Sequence, residues 1–227
     1  MKELIQQTAL RTLDLEAQSI LGLRSSINDQ FIKAIEALST TKGRVVISGI
    51  GKSAVIAQKI VATFNSTGTP SLFMHAADAI HGDLGMFQQD DVVIILSKSG
   101  ESPEIRALVQ LIRNFGNTII AMVGNIHSSL AQQASLILDT TVEQEACPNN
   151  LAPTSSTTAQ LVMGDALAIC LMELKGFRSE DFAKFHPGGA LGKKLYLRVQ
   201  DLGVQNEKPA VTINQTLREV IVIMTAG

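Results

Sequence analysis

Short apolar runs without polar alternation recur along this chain, and a helical segment follows each of them. Strands that are apolar on both sides are typical of a parallel sheet covered by helices on both faces. The pattern therefore predicts an α/β fold with a central parallel sheet of about five strands. The predicted strands are Arg44–Ser48, Ser71–Met74, Asp91–Leu96, Thr118–Val123 and Leu136–Leu138.

Apolar residues at helical spacing fill the segments between and before these strands. We expect two N-terminal helices in the first forty residues, with a break near Gly22 to Ser26. Past about residue 198 the composition changes, residues 206–209 look like a linker, and a short strand from Pro209 is expected to lead into a helix. The other predicted helices are Ser53–Ser66, Pro103–Phe115, Ser128–Ala134 and Ser156–Leu174.

Composition restricts the classes of partner. Nineteen basic residues against 21 acidic ones give a formal net charge of -2, so no broad basic surface is available for nucleic acid. Aromatic residues make up only 4%, which argues against a stacking platform for single strands. The N-terminus lacks the apolar core of a signal peptide, and no stretch approaches about 18 uninterrupted apolar residues. We therefore expect a cytoplasmic protein that binds neither nucleic acid nor membrane.

Ligands of open parallel sheets bind beyond the carboxyl ends of the strands, near a switch in strand order. The first loop at such an end is SGIGKS, residues 48–53. A Walker A loop is excluded because Val46 stands where its first glycine belongs. A dinucleotide fingerprint is disfavoured because no acidic residue follows at the end of the next strand. Two interpretations stay open: a tight turn with a solvated Lys52, or a close backbone approach that points Lys52 at an anionic ligand.

The second loop, residues 97–104, reads SKSGESPE and is more specific. Three hydroxyls surround Gly100 just before a helix, and Pro103 suits the first helical position. Free N–H groups and the positive end of the helix dipole then face the serines, which predicts a small anion site that needs no metal. A simple serine N-cap is the alternative. Residues 154–158, which read TSSTT and also open a helix, suit an anion in the same way.

Few ionisable residues stand where chemistry is expected. His81 and His186 lie in turns flanked by glycine or proline, where each could be a surface residue or reach a site. No HxxxH or HxH spacing supports a metal site. Glu104 falls in a first helical turn, where it could stabilise the helix dipole or act as a general base, and Glu101 is the competing base.

Taken together, these loops resemble the D-arabinose 5-phosphate isomerases of the KpsF/GutQ type, which carry a sugar isomerase (SIS) domain. The resemblance covers about residues 40–200. Two positions depart from the family pattern: Lys98 stands where relatives often have Asn, and Ala54 where they often have Gly. The motifs that carry the resemblance include GIGKS at 49–53, HGDLG at 81–85, SKSGES at 97–102, APTSSTT at 152–158 and HPGGALG at 186–192.

The resemblance implies a three-layer SIS domain over residues 1–200 and a linker with a truncated start of a CBS-like segment over 201–227. It implies interconversion of D-ribulose 5-phosphate and D-arabinose 5-phosphate through an enediol, which feeds Kdo synthesis for lipopolysaccharide or capsule. The expected partner is this phosphorylated pentose, with no cofactor and no metal, in a homotetramer with shared active sites. Alternatives are a non-catalytic sugar-phosphate-binding regulatory module and another phosphosugar isomerase or lyase.

Four residues match the family's functional positions: Lys52, His81, Glu104 and His186. We expect Lys52 to stabilise the enediolate oxygen and Glu104 to move the proton between carbons. The histidines would open the ring or carry protons between oxygens, and their roles are exchangeable. The expected substrate-binding residues are Ser48, Gly49, Gly51, Ser53, Ser97, Ser99, Gly100, Ser102, Thr154, Ser155, Ser156 and Thr157.

Overall fold

A five-stranded parallel sheet forms the centre of this computed structural model, which describes residues 1–188 and 210–225. The chain divides into two units, Met1–Phe177 and Arg178–Gly227. The strands of the first unit are β1 (Val45–Gly49), β2 (Ser71–His75), β3 (Val92–Ser97), β4 (Thr118–Val123) and β5 (Leu136–Asp139). Its helices are α1 (Lys2–Gly22), α2 (Asp29–Thr40), α3 (Lys52–Ser66), α4 (Ala76–Ala79), α5 (Pro103–Phe115), α6 (Ser129–Gln133) and α7 (Ser155–Leu174).

The strands lie in the order β2-β1-β3-β4-β5, and every neighbouring pair is parallel. The α/β prediction is therefore confirmed. Strand order reverses between β1 and β3, because the chain moves outward to β2 on one side and to β3, β4 and β5 on the other. Such a reversal separates the two connecting loops at the carboxyl ends of β1 and β3 and opens a crevice between them.

Two apolar layers cover the sheet, as the strand pattern predicts. Alternate residues of β1 face different layers: Val45 and Ile47 face the first, and Val46 faces the second. The first layer contains α2, α3 and α7, and the second contains α4, α5 and α6. Every residue of β1 and β3 is buried, so their side chains specify the core and leave the loops beyond them for chemistry.

The predicted strands β1 and β3 each began one residue too early. Arg44 and Asp91 lie before the ladder, where the Arg44 amide donates to Asp91 Oδ1 at 2.8 Å and its guanidinium pairs with Oδ2 at 2.9 Å. Burial of Asp91 opposes ionisation, but the hydrogen bonds from Arg44 and from the Gln88 amide outweigh it and lower the pKa of that carboxyl. This ion pair fastens the amino ends of the two central strands, on the side opposite the crevice.

The N-terminal pair of helices is confirmed, with a short 3-10 turn at Leu23–Ser26 between them. Asn28 caps α2, because its side chain accepts from the amides of Gln30 and Phe31. Helix α1 has no buried residue and reaches α7 through Thr158, whose hydroxyl donates to Glu16 at 2.9 Å.

Helix α7 is predominantly apolar and is the helix among the described residues that is long and apolar enough to span a membrane. Gly164 lets it approach α3 closely, because a Cβ there would meet Ile60 Cδ1 at 2.4 Å. Since nine of its residues are buried, its length and composition suit a core helix of this sheet fold.

The second unit contains α8 (Ser179–Phe185) and α9 (Leu217–Thr225) within its described parts. The strand expected from Pro209 is wrong over residues 210–216, which form irregular chain and a turn. A strand needs a hydrogen-bonded neighbour, and no described strand pairs with this segment. The predicted domain boundary near 200, the predicted linker at 206–209 and most of the HPGGALG motif lie outside the described residues.

Candidate active site

A cleft of about 300 Å³ opens at the carboxyl ends of β1 and β3, at the reversal of strand order. The structure brings together there three segments that the sequence singled out: the loop after β1, the loop after β3 and the start of α7. Its lining is Ile50, Lys52, Ser53, Ser97, Lys98, Ser99, Ser102, Pro153, Ser156 and Thr157.

The loop after β1 places a cation at the cleft. Gly51 is the N-cap residue of α3, and Lys52 is the exposed first residue of that helix. The next residue, Ser53, donates its hydroxyl to Gln160 on α7 at 3.1 Å, and Gln160 is buried. The start of α3 is thereby tied to α7, so the position of Lys52 is held by the core.

The loop after β3 presents hydroxyl groups to the cleft. Ser97 Oγ accepts from the Gly100 amide at 3.0 Å, and Ser99 Oγ accepts from the Glu101 amide at 3.2 Å. Both serines use an oxygen lone pair to shape the loop, so their O–H groups remain able to donate to a ligand.

Ser102 decides between the two interpretations of this loop. It stands at the N-cap position of α5 but makes no capping hydrogen bond, so a simple serine cap is wrong. Its hydroxyl is buried and has no hydrogen-bond partner among the described residues. Buried polar groups are nearly always paired, so an unpaired hydroxyl beside an uncapped helix start in a cleft suits an anionic ligand.

The serine loop rests on the start of α6. Gly100 has φ +67°, and a Cβ there would meet Ser128 Oγ at 2.1 Å, so only glycine allows this turn against its neighbour. The Gly100 carbonyl accepts from the Leu130 amide at 3.2 Å. Glu101 accepts from Ser129 and pairs with Arg106, and these hydrogen bonds lower the pKa of Glu101 to about 2. A carboxylate that is this firmly ionised and this fully engaged is a poor general base.

Sequence reasoning missed Glu145, a buried carboxylate beneath the cleft. It accepts from the amides of Thr154 and Ser156 at 2.8 and 3.1 Å, from the Ser156 hydroxyl, and from Lys98 Nζ at 2.6 Å. Burial opposes ionisation, but the hydrogen bonds from Lys98, Ser156 and the two amides outweigh it and lower the pKa of Glu145 to about 2. The only feature of the sequence that points to Glu145 is an acidic residue in the predicted loop before a hydroxyl-rich helix start.

Glu145 changes the expected role of that helix start. Its carboxylate accepts hydrogen bonds from the amides of Thr154 and Ser156 at the start of α7, where Thr154 is the N-cap residue. Thr154 also accepts from the Ala146 amide at 2.8 Å, which fixes the loop that carries Glu145. Ser156 and Thr157 nevertheless line the cleft, whereas Ser155 is fully buried. The helix start left open to a ligand in this cleft is therefore that of α5, with Ser156 and Thr157 of α7 lining the cleft.

Ser48 and Gly49 end β1 beneath the Lys52 turn. Ser48 is fully buried, and its hydroxyl, like that of Ser155, has no hydrogen-bond partner within residues 1–188 and 210–225. Their expected contact with substrate stays a prediction.

Two other predicted catalytic residues of the first unit lie outside the lining of the cleft. Glu104 is half-buried in the first turn of α5, and no hydrogen bond engages its carboxylate among the described residues. His81 is exposed in the turn after α4, beyond the carboxyl end of β2, and its amide donates to the Asp78 carbonyl at 2.9 Å. Of the predicted catalytic residues, the cleft of this unit therefore brings only Lys52 to its wall.

His186 belongs to the second unit, directly after α8. Its ring stacks on Phe182 with centroids 3.9 Å apart, and Nδ1 lies 2.9 Å from the Phe182 carbonyl oxygen. A carbonyl only accepts, so Nδ1 carries a proton in this contact and Nε2 is the ring nitrogen that this contact does not engage. In the part of the chain that the structure describes, no group of three His, Cys, Asp or Glu side chains could hold a metal.

Comparison with known proteins agrees with this geometry. The family model of the SIS domain matches residues 38–170, which include β1 to β5, the serine loop and most of α7. The chain belongs to the SIS domain family. Since the match spans both loops of the cleft, the site lies in the segment that defines the family.

This SIS chain is 52% identical over 219 residues to a Pseudomonas aeruginosa protein named arabinose 5-phosphate isomerase KdsD, covering 96% of the chain and 67% of the relative. It is 48% identical over 221 residues to the protein of the same name from Escherichia coli K12, covering 97% and 67%. The chain thus spans about two thirds of the length of these curated relatives. The resemblance found from the motifs is confirmed.

Among solved structures, this SIS chain is similar to an Escherichia coli CFT073 protein in complex with arabinose 5-phosphate, with a TM-score of 0.79 and 42% identity. The alignment covers 82% of this chain and 98% of that protein. The likeness therefore extends over essentially the whole of a ligand-binding relative.

Proposed function

We propose that this chain is an aldose–ketose isomerase that interconverts D-ribulose 5-phosphate and D-arabinose 5-phosphate. The unpaired, non-capping hydroxyl of Ser102 in a hydroxyl-rich cleft is the observation that carries the phosphate site. The relatives at about half identity bear the name of this isomerase, which favours it over the non-catalytic regulatory module.

Phosphate is bound at the loop after β3 in this proposal. The O–H groups of Ser97, Ser99 and Ser102 donate to phosphate oxygens, and the start of α5 adds the positive end of its dipole. A sugar phosphate carries about -1.5 to -2 charges at neutral pH, so oriented donors at a helix start suit it. The phosphate holds the sugar so that C1 and C2 lie towards Lys52 and Thr157.

Isomerisation moves one proton between neighbouring carbons. From the ketose, a base removes a proton from C1, the electrons form the C1–C2 double bond, and the C2 oxygen becomes an enediolate. Lys52 stabilises that oxygen, and electrostatic stabilisation of this kind usually contributes more to catalysis than any other single effect. The protonated base returns the proton to C2 while the proton on O1 is transferred to O2, which gives the aldose without net oxidation.

Glu104 is the proposed base. Glu101 and Glu145 are both held ionised by hydrogen bonds that lower their pKa to about 2, which makes each a weak proton acceptor. Glu104 lies two residues beyond Ser102 in the turn that meets the phosphate, without a hydrogen bond of its own in the described chain. The proposal requires its carboxylate to reach the reacting carbons in the complex with substrate.

His81 and His186 are proposed to open the ring and carry protons between O1 and O2. For His186, the Nδ1 contact with Phe182 leaves Nε2 for that exchange. His81 lies outside the lining of the cleft in its own chain, which is consistent with a site completed by other subunits.

Self-association in a homotetramer with shared sites is part of the proposal. Helix α1 exposes 68% of Leu4, 66% of Leu13 and 61% of Leu21. A second apolar surface on the same unit includes Ile32 and Leu174. Large apolar side chains exposed in this number favour association with another protein surface. We further propose that the enzyme works in the cytoplasm and that its product feeds Kdo synthesis for lipopolysaccharide or capsule.

The test is direct assay of the purified chain with D-ribulose 5-phosphate. Formation of D-arabinose 5-phosphate, identified against authentic aldose phosphates, supports the proposal. Binding of the sugar phosphate without any aldose product would assign the regulatory module instead. A different aldose phosphate or a cleavage product would assign another isomerase or a lyase.

A further inference from the structure

Lys98 lies between the serine loop and the buried carboxylate. It follows β3 immediately, its side chain lines the cleft, and 47% of that side chain is exposed. Its ammonium is 2.6 Å from Oε1 of Glu145, whose side chain is fully buried. One end of this ion pair therefore faces the protein, and the other faces the ligand space.

The backbone holds Lys98 in this place. Its carbonyl accepts from the Gly124 amide at 3.1 Å, which ties the residue to the end of β4. A Cβ on Gly124 would lie 3.0 Å from the Lys98 carbonyl oxygen and 3.3 Å from Lys98 Cγ. The first part of the lysine side chain thus packs against Gly124, which sets the direction in which it leaves the backbone.

Glu145 does not engage all of the hydrogen-bond donors of the Lys98 ammonium. An ammonium has three donors, and the bond to Glu145 engages one of them; the described residues provide no other hydrogen bond to Lys98 Nζ. Glu145 in turn has donors from Thr154 and Ser156 besides the lysine. The two remaining N–H groups of Lys98 and the exposed half of its side chain are therefore available to a ligand in the cleft.

The charge of the cleft depends on this residue. Lys52 and Lys98 supply two positive charges, and Glu145 supplies one negative charge beneath them. Without Lys98 the cleft would be neutral overall, although its ligand is a phosphate that carries nearly two negative charges.

We propose that Lys98 is a substrate-binding residue: its ammonium bridges Glu145 and the phosphate of the sugar. This inference rests on the proposed function for the identity of the sugar, and on the geometry alone for the anion. Glu145 orients the ammonium, so that a flexible side chain acts as a fixed donor.

Lys98→Gln tests the charge, because the amide keeps a donor for Glu145. The matched control is Lys59→Gln, which removes the same charge from an exposed ion pair with Asp165 on the outer face of α3 and α7. We expect Lys98→Gln to raise KM for D-arabinose 5-phosphate about tenfold, as for loss of one charge-assisted hydrogen bond, with kcat within about twofold. Lys98→Arg should recover most of the loss, and Lys59→Gln should match the unmodified chain.

A second readout does not need turnover. Titration of each protein with inorganic phosphate, followed by 31P NMR, should show weaker binding for Lys98→Gln by a similar factor and a shallower dependence on salt. Unchanged KM and unchanged phosphate affinity in a folded variant would overturn the inference. A fall in kcat alone would also overturn it, because that result assigns Lys98 to positioning Glu145.

The two proposals fail differently. If the unmodified chain produces no aldose, the proposed function fails, and the phosphate titration still decides the role of Lys98. If the unmodified chain is active and Lys98→Gln is indistinguishable from it in both readouts, only the inference about Lys98 fails.

Discussion

The Glu101 carboxylate accepts two hydrogen bonds from Ser129, one from its amide and one from its hydroxyl, each at 2.7 Å. Arg106 forms an ion pair with the same carboxylate at Oε2, the oxygen that also accepts from the Ser129 hydroxyl. The glutamate of the SGES motif therefore fastens the serine loop to α6, which leaves Glu104, three residues later, as the proposed base.

Glu101→Gln is expected to loosen the serine loop. The amide cannot pair with Arg106 as the carboxylate does, so the phosphate donors lose part of their fixed orientation. We expect KM for the sugar phosphate to rise about threefold to tenfold, with kcat reduced less than KM rises. Steady-state kinetics measure both values. The exposed Glu36→Gln on α2 is the control, and equal kinetics for the two variants would contradict the positioning role.

Ser99→Ala should weaken ground-state binding. The change removes an O–H donor at the cleft and the turn bond to the Glu101 amide, so KM is expected to rise about fivefold to tenfold. Ser25→Ala removes an exposed serine from the 3-10 turn between α1 and α2 and should change nothing. A loss confined to kcat would argue that Ser99 does not contact the phosphate.

Glu104→Gln should remove the base. The variant keeps the volume of the side chain but cannot accept the proton, and general base catalysis contributes about 10²- to 10⁴-fold. We expect kcat to fall by that factor while affinity for inorganic phosphate is unchanged. Glu101→Gln makes the same chemical change three residues away and should chiefly raise KM. If Glu104→Gln retains near-normal turnover, the base is another group.

Glu145 should make the stability of the fold depend on pH in the acidic range. Its pKa in the folded chain is about 2, below the ordinary value of 4.5, so its contribution is complete above about pH 4.5 and is lost as the pH falls towards 2. A shift of this size corresponds to at most about 3 kcal/mol.

Urea unfolding of Glu145→Gln measures this contribution. The difference from the unmodified chain should be largest at neutral pH and should shrink between about pH 5 and pH 2. Asp91 and Glu101 also make the free energy of unfolding depend on pH, but they do so equally in both proteins and cancel in the comparison. A difference that stays constant with pH would show that folding does not lower the pKa of Glu145.

Much of the fold follows from local pattern. The strands β1, β3 and β4 are apolar on both sides, which is favourable only in a sheet that is covered on both faces. Pro103 marks the start of α5. The two central strands begin one residue later than predicted because Arg44 and Asp91 bond to each other instead of joining the ladder, and such a pairing across 47 residues leaves no local trace.

The candidate site likewise has a part that the sequence predicts and a part that it does not. Lys52 and the serine loop could be predicted because strand ends in a parallel sheet meet at one edge. Glu145 could not, since its partners Lys98 and Ser156 come together only when the loop after β5 folds back over the sheet. The absence of a cap at Ser102 likewise is a matter of geometry, because its sequence context suits a cap and an anion site equally.

A crystal structure of the chain with D-arabinose 5-phosphate tests the central claim most directly. The account predicts phosphate oxygens within hydrogen-bond distance of Ser99, Ser102 and Lys98 Nζ, with the carbonyl end of the sugar towards Lys52. A phosphate seated elsewhere, with the hydroxyl of Ser102 still unpaired, would contradict it.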